Sequence, residues 1–182
     1  MALIAISAPY GAGGSQIAPA LAERLGVPFL DRPADTEPDH GLLSKLSSIG
    51  LAWGTPAGME LEDLVPGETR RREIEAELDA LEHGVVLGRA AAFLKRDDPT
   101  VLRVLLHGPP ERRVEQAMRM EGIDRRTAST RLERTDRARL HYHQTLYCAD
   151  PRKPDLYHLV IDSTALSFET CVEMIARVSQ HR

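Results

Sequence analysis

The sequence predicts an α/β fold in which a parallel five-stranded sheet carries helices on both faces. Three observations lead there. Short apolar runs at 2–6, 27–30, 85–87, 101–106 and 157–161 have the length of buried strands. Segments with apolar residues at helical spacing lie between most of them, which implies βαβ units and a sheet covered on both sides. Glycine, arginine and aspartate gather at the carboxyl ends of the runs, where ligands sit in open parallel sheets.

Taken in order, Ala2 to Ile6 is a strand that ends in Ser7-Ala8-Pro9-Tyr10-Gly11-Ala12-Gly13-Gly14, a glycine-rich turn. Ile17, Ala18, Leu21, Ala22 and Leu25 then recur at helical spacing, and Gly26 is placed to close that helix as a C-cap. Val27-Pro28-Phe29-Leu30 is a second short strand that delivers Asp31 and Arg32. The stretch 33–68 is rich in proline and glycine with weak periodicity, apart from an expected helix over Leu42 to Leu51. Thr69 to Leu81 is a helix with Ile74, Leu78 and Leu81 on one side. Val85-Val86-Leu87 ends in Gly88-Arg89, and Val101 to Leu106 is the fourth strand. Helices follow at Pro110 to Met120 and Arg125 to Tyr142, with Pro110 at a first turn. Tyr157 to Ile161 is the fifth strand, ending in Asp162-Ser163-Thr164, and Phe168 to Val178 is the last helix.

A chain of 182 residues with 42% hydrophobic and 27% charged residues is of the size and composition of one globular domain. A net charge of −4 argues against a general nucleic-acid binder. Cys148 and Cys171 are too few for a disulfide framework and are expected to be reduced thiols in a cytoplasmic protein. No basic region precedes the first apolar run, so no signal peptide is expected, and no stretch has the length of a membrane span. The seven histidines and two cysteines show no zinc-type pairing, so no zinc site is expected. The 23 basic residues are 20 arginines and three lysines, so any phosphate chemistry falls mostly to arginine.

The glycine turn is the first candidate site. Successive backbone N–H groups in such a turn can converge on an anion, and the helix that follows adds the positive end of its dipole. The usual phosphate frame is G-x-x-x-x-G-K-[ST]. Here it reads Ala8-Pro9-Tyr10-Gly11-Ala12-Gly13-Gly14-Ser15, with Gly13 and Ser15 matching, Ala8 in place of the first glycine and Gly14 in place of the lysine. Tyr10, Gly11, Ala12, Gly13, Gly14, Ser15 and Gln16 are the candidate phosphate-binding residues. The Ser15 hydroxyl is a candidate magnesium ligand or a helix cap.

The whole chain resembles the cytidylate kinase-like family, a branch of the P-loop nucleoside monophosphate kinases. Tyr10-Gly11-Ala12-Gly13-Gly14 is similar to the Y-G-S-G-G loop of that branch, which also lacks the lysine. Phe29-Leu30-Asp31-Arg32 resembles its F-Y-D-R stretch and Val86-Leu87-Gly88-Arg89 its V-G-R stretch. Leu102-Arg103-Val104, Pro110-Glu111-Arg112-Arg113, Thr135-Asp136 and Ile161-Asp162-Ser163-Thr164 complete the set, so the likeness runs over about residues 2–178.

The resemblance implies a P-loop NTPase-type three-layer α/β/α domain with a five-stranded parallel sheet and a helical lid. One domain would span 1–182, with its core at 1–32, 69–110 and 150–182, an acceptor-binding region at 33–68, and the lid with its flanking helices at 111–149. It implies ATP as co-substrate, Mg2+ as cofactor, and γ-phosphoryl transfer to a small phosphorylated acceptor such as CMP or dCMP. Asp31, with Ser15, would organise the magnesium ion, since a hard cation takes carboxylate and hydroxyl oxygens. Arg89 would hold the acceptor phosphate. Nine arginines and five acidic residues fall between Arg112 and Arg139. Most of these belong to a solvated face, while Arg131, Arg134 and Arg137 are the candidate lid residues that would stabilise transferring charge and compensate for Gly14. Trp53 is a candidate for base stacking or for core packing. The competing expectation is a nucleotide-binding sensor or interaction protein on a kinase fold with little turnover. A third is a kinase for a small non-nucleotide acceptor.

Overall fold

The computed structural model describes residues 3–31, 67–88 and 90–181. The expected helix over Leu42 to Leu51, Trp53, Arg32 and Arg89 lie outside the described residues. The elements run β1 (Leu3–Ser7), α1 (Gly14–Leu25), β2 (Phe29–Leu30), α2 (Gly67–Asp79), β3 (Gly84–Leu87), α3 (Ala91–Leu94), β4 (Leu102–His107), α4 (Pro110–Glu121), α5 (Arg125–Tyr147), a single 3-10 turn at Pro154–Leu156, β5 (Leu159–Asp162) and α6 (Phe168–Gln180).

The sheet has five strands in the order β2-β3-β1-β4-β5, every neighbouring pair parallel. The side-chain period of two divides each central strand between two cores. Ile4 and Ile6 of β1, Val85 and Leu87 of β3, and Leu102, Val104 and Leu106 of β4 face one side. There they meet Ile17, Ala18 and Leu21 of α1 and Cys171, Val172 and Ile175 of α6. Leu3, Ala5, Val86 and Leu105 face the other side and pack on Ile74 and Leu78 of α2 with Tyr157. Full burial of each such aliphatic side chain contributes roughly 1.5–3 kcal/mol, and this two-sided burial makes the central strands read as unbroken apolar runs.

A third, smaller cluster belongs to the hairpin of α4 and α5, where Val114 and Ala117 meet Ala128 and Leu132. Gly122 closes α4 at φ 67°, and the Asp124 carboxylate caps α5 by accepting from the Thr127 amide at 2.9 Å. Gly26 closes α1 in the same left-handed way, as the sequence predicts. Several boundaries shift by one or two residues, among them β5, which starts at Leu159 rather than Tyr157, and α2, which spans Gly67–Asp79 rather than Thr69 to Leu81. Three differences have a physical reason. β2 is only two residues long because Pro28 has no N–H to extend the ladder. α5 continues to Tyr147, beyond Tyr142, because its last turns bury Tyr147 in an aromatic group. The single turn α3 has no apolar period long enough to announce it. Among the described residues, no helix is long and apolar enough to cross a membrane.

The aromatic group at the end of α5 joins Tyr142, His143 and Tyr147 to Phe93 of α3, with ring centroids 5.6–6.0 Å apart. His143 is buried, and its pKa falls to about 4, first because burial penalises the cation and then because the Arg139 guanidinium lies near it, against a weaker pull from Asp150. A native imidazole that resists protonation gives stability that is full above the unfolded pKa of about 6.5. That stability is lost as pH falls from there toward the folded value, because the unfolded chain binds the extra proton. Urea unfolding should therefore show a loss on the order of 2 kcal/mol between pH 7 and pH 5, and His143→Gln should flatten the profile. A His143→Gln profile as steep as that of the wild type would place the slope elsewhere.

Candidate active site

The segment from Ala8 to Ser15 leaves the carboxyl end of β1 at the centre of the sheet and enters α1. Two of its glycines hold positive φ, Gly11 at 74° and Gly13 at 75°, a conformation that L side chains rarely adopt. Space is closed as well: a Cβ on Gly11 would lie 2.3 Å from the Arg113 carbonyl oxygen, and one on Gly13 would lie 2.5 Å from the Phe168 ring.

Every carbonyl from Ala8 to Gly13 accepts a hydrogen bond. Ala8 accepts from Arg139, and Pro9 from the Ala12 amide at 3.1 Å. Tyr10 accepts from Arg113 Nη1 at 2.9 Å, and Gly11 from Gln116 Nε2 at 3.0 Å. Ala12 accepts from Ser163 Oγ at 2.7 Å, while Gly13 accepts from the amides of Gln16 and Ile17 at 3.0 and 2.9 Å. The amides of Gly11, Gly13, Gly14 and Ser15 make no hydrogen bond among the described residues. The N-cap of α1 is Gly13, with no side-chain cap and no acidic residue in the first turn. The result is a set of donors, unpaired among the described residues, at the positive end of a twelve-residue helix whose first turn holds no acidic side chain to neutralise them.

Arg113 organises the far side of this turn. It is buried, and its guanidinium donates to the Gly108 carbonyl at 3.0 Å, to Tyr10, and to Asp136 Oδ2 at 2.8 Å. One side chain thus ties the end of β4, the glycine turn and α5 together. Arg112 pairs with Asp162 at 2.8 Å, and Thr164 Oγ1 donates to Asp162 Oδ1 at 2.6 Å. The Thr164 hydrogen bond is the first cause of the depressed Asp162 pKa, and Arg112 adds to it. Arg139 Nη2 donates to the buried Ser7 Oγ at 2.5 Å. Ser7 is in turn hydrogen-bonded at 3.0 Å to the Tyr157 hydroxyl, which donates to the Pro151 carbonyl at 2.7 Å.

The side chains of Ser15 and Gln16 are exposed at the start of α1, and the Ser15 hydroxyl makes no hydrogen bond among the described residues. It is not the helix cap. Asp31 is exposed at the end of β2. Ser15 and Asp31 offer oxygen donors of the hard kind that magnesium takes. Arg131 is held on Glu121 at 2.6 Å, at the tip of the hairpin. Beside this pair the Tyr10 hydroxyl is buried without a hydrogen-bond partner, and its pKa is pushed up to about 12, by burial first and then by Glu121. Arg134 and Arg137 are exposed along α5. The sequence reading did not assign Arg113, Gln116, Ser163 or Arg139 to the loop. Arg113 and Ser163 stand inside motifs that it quoted, which was the available signal. Gln116 and Arg139 carried none, since each reaches the turn only through the tertiary fold.

A central strand, an open-amide glycine turn and a helix, in a five-stranded parallel sheet, define the class as a P-loop kinase-type α/β protein. A profile described as the cytidylate kinase-like family matches residues 3–37 and 53–165, and the chain belongs to that family. The cytidylate kinase of Methanopyrus kandleri is 32% identical over 125 residues, which cover 60% of this chain and 65% of that protein. The cytidylate kinase of Aeropyrum pernix is 28% identical over 179 residues, 97% of this chain and 98% of that protein. Among solved structures, an uncharacterised protein of Eubacterium ventriosum has a TM-score of 0.74 at 20% identity, covering 100% of this chain and 99% of its own. A gluconokinase of Sinorhizobium meliloti has a TM-score of 0.57 at 21% identity, covering 99% and 94%. At these identities the two structures share the fold alone with this chain.

The steric fit at position 14 is testable. A Cβ on Gly14 would lie 2.6 Å from the Ala8 Cβ and 3.1 Å from Leu87 Cδ1. Gly14→Ala should cost about 1–3 kcal/mol as an overpacked site, and adding Ala8→Gly should recover most of that loss. Urea midpoints of the two variants check it. Equal midpoints for the single and double variants would remove the contact as the cause.

Proposed function

We propose that the chain is an ATP- and magnesium-dependent phosphotransferase that passes the γ-phosphoryl group of ATP to a nucleoside monophosphate of the cytidylate type, CMP or dCMP. The single observation that carries this reading is the set of amides at Gly11, Gly13, Gly14 and Ser15 that are unpaired among the described residues, at the start of a helix with no acidic residue in its first turn. Such a cradle suits a polyphosphate. The likeness to two cytidylate kinases supports the acceptor class.

A phosphate oxygen of the acceptor attacks the γ-phosphorus in line. As that O–P bond forms, the bond from the γ-phosphorus to its bridging oxygen breaks, leaving ADP and a nucleoside diphosphate. The attacking oxygen is already ionised at neutral pH, so the protein needs neither nucleophile nor base. Its work is positioning and electrostatics. Residues 10–16 hold the ATP phosphates, Arg89 holds the acceptor phosphate, and Arg131, Arg134 and Arg137 serve the charge that spreads during transfer. Ser15 and Asp31 would hold magnesium, which when bound neutralises charge between the phosphates. Arg131 reaches a phosphate only by leaving Glu121, an exposed pair whose loss costs little.

Gly14 in the lysine position favours a second reading, a nucleotide-binding sensor without turnover. A coupled assay of ADP release across CMP, dCMP, UMP and AMP separates the two. The expected result is turnover highest with CMP or dCMP. Binding of ATP with no release above the acceptor-free rate for any of the four would overturn the proposal in favour of the sensor. Turnover confined to non-nucleotide acceptors would keep the phosphotransferase and replace its acceptor.

A further inference from the structure

The side chain of Tyr10 leaves the glycine turn and packs on the hairpin cluster of Val114, Ala117, Ala128 and Leu132. This contact brings its hydroxyl to the tip of the hairpin, where α4 ends at Glu121 and Arg131 stands in the second turn of α5. Arg131 Nη1 donates to Glu121 Oε2 at 2.6 Å, and both side chains are partly in solvent. The Tyr10 hydroxyl lies beside this pair, buried, and makes no hydrogen bond. Burial is the first cause of its raised pKa, and the Glu121 carboxylate adds to it while the Arg131 guanidinium opposes it.

Two donors thus stand at one carboxylate, and only one of them is bonded to it. The weaker demand is the one met. A solvent-exposed ion pair contributes little, whereas a buried hydroxyl without an acceptor is costly. A phosphate within reach of Arg131 reverses the balance. Tyr10 is itself part of the turn, so the guanidinium lies one tyrosine side chain away from the open amides. Once Arg131 turns to an anion, Glu121 keeps a donor beside it, and its charge is not left bare near the phosphates.

We propose that Tyr10 and Glu121 are positioning residues that release Arg131 to the polyphosphate by an exchange of partners. The guanidinium passes from Glu121 to the phosphates, and the Tyr10 hydroxyl donates to the vacated carboxylate. This inference rests on the polyphosphate reading above and adds to it the step that frees the arginine.

A double-mutant cycle on the full chain tests the exchange, with inorganic tripolyphosphate as the calorimetric probe. Tyr10→Phe keeps the ring and its packing and removes only the hydroxyl. It should weaken tripolyphosphate about 10-fold, while the melting temperature without ligand does not fall. In a Glu121→Ala background the hydroxyl has no carboxylate to turn to. There the further change Tyr10→Phe should alter affinity less than about 2-fold. Tyr10→Phe that binds tripolyphosphate as the wild type does would overturn the inference. So would an equal loss with and without Glu121, since a purely structural hydroxyl acts independently of that carboxylate. Wild-type chain that fails to bind tripolyphosphate would remove the polyphosphate reading, and the inference with it.

Discussion

A peptide unit is planar, so fixing the direction of its carbonyl fixes the direction of the N–H on the same plane. The candidate site depends on this constraint. From Ala8 to Gly13 each carbonyl is engaged by a donor, and four of the six carbonyls are engaged by side chains from elsewhere in the fold: Arg139, Arg113, Gln116 and Ser163. The unpaired amides are what remains once those planes are set. Positive φ at Gly11 and Gly13 is the local condition, since only there can successive planes turn the needed way without steric cost. The turn is thus a product of the whole sheet-and-hairpin assembly rather than of its own glycines.

The hairpin of α4 and α5 is bound into the same arrangement. Its base carries Arg113, Gln116 and Arg139, all of which hold the turn, and the Tyr10 ring packs against its apolar cluster. Its tip carries pairs of a different kind. Glu115 with Arg125 and Glu121 with Arg131 are solvent-exposed, and such pairs contribute at most about 1 kcal/mol each. The buried Arg113–Asp136 pair is the opposite case, because removing one partner strands a charge at a cost of roughly 3–5 kcal/mol. One element therefore combines a rigid root with exchangeable arginines near its end.

The fold was legible because its signals are local. Apolar runs, helical spacing, Gly26, Pro110 and the Gly122–Asp124 turn are all read from neighbouring residues, and the structure places the elements they announce in the expected order. The glycine turn was legible for the same reason. The side chains that shape it were not. Arg139 is one of nine arginines in its stretch, and it reaches Ala8 across 131 residues of chain, so no spacing rule marks it. Gln116 acts over 105 residues and Ser163 over 151. Hairpin arginines were expected to serve the loop, and the ones visible from helical periodicity were Arg131, Arg134 and Arg137. Periodicity gives the face of a helix but not what that face meets, and the structure puts Arg131 on Glu121.

The missing lysine then takes on a different meaning. Read alone, Gly14 is a deletion of function from the frame. In three dimensions positions 8 and 14 touch, and the methyl group of Ala8 occupies the space that a side chain at 14 would enter. The two departures from the usual pattern, alanine for glycine at 8 and glycine for lysine at 14, are one steric exchange. The exchange keeps the packing and removes a charge from the loop. The guanidinium of Arg139 stands against the carbonyl of that same Ala8. Packing at positions 8 and 14 is thus coupled, so the frame departs from the usual pattern at both positions together.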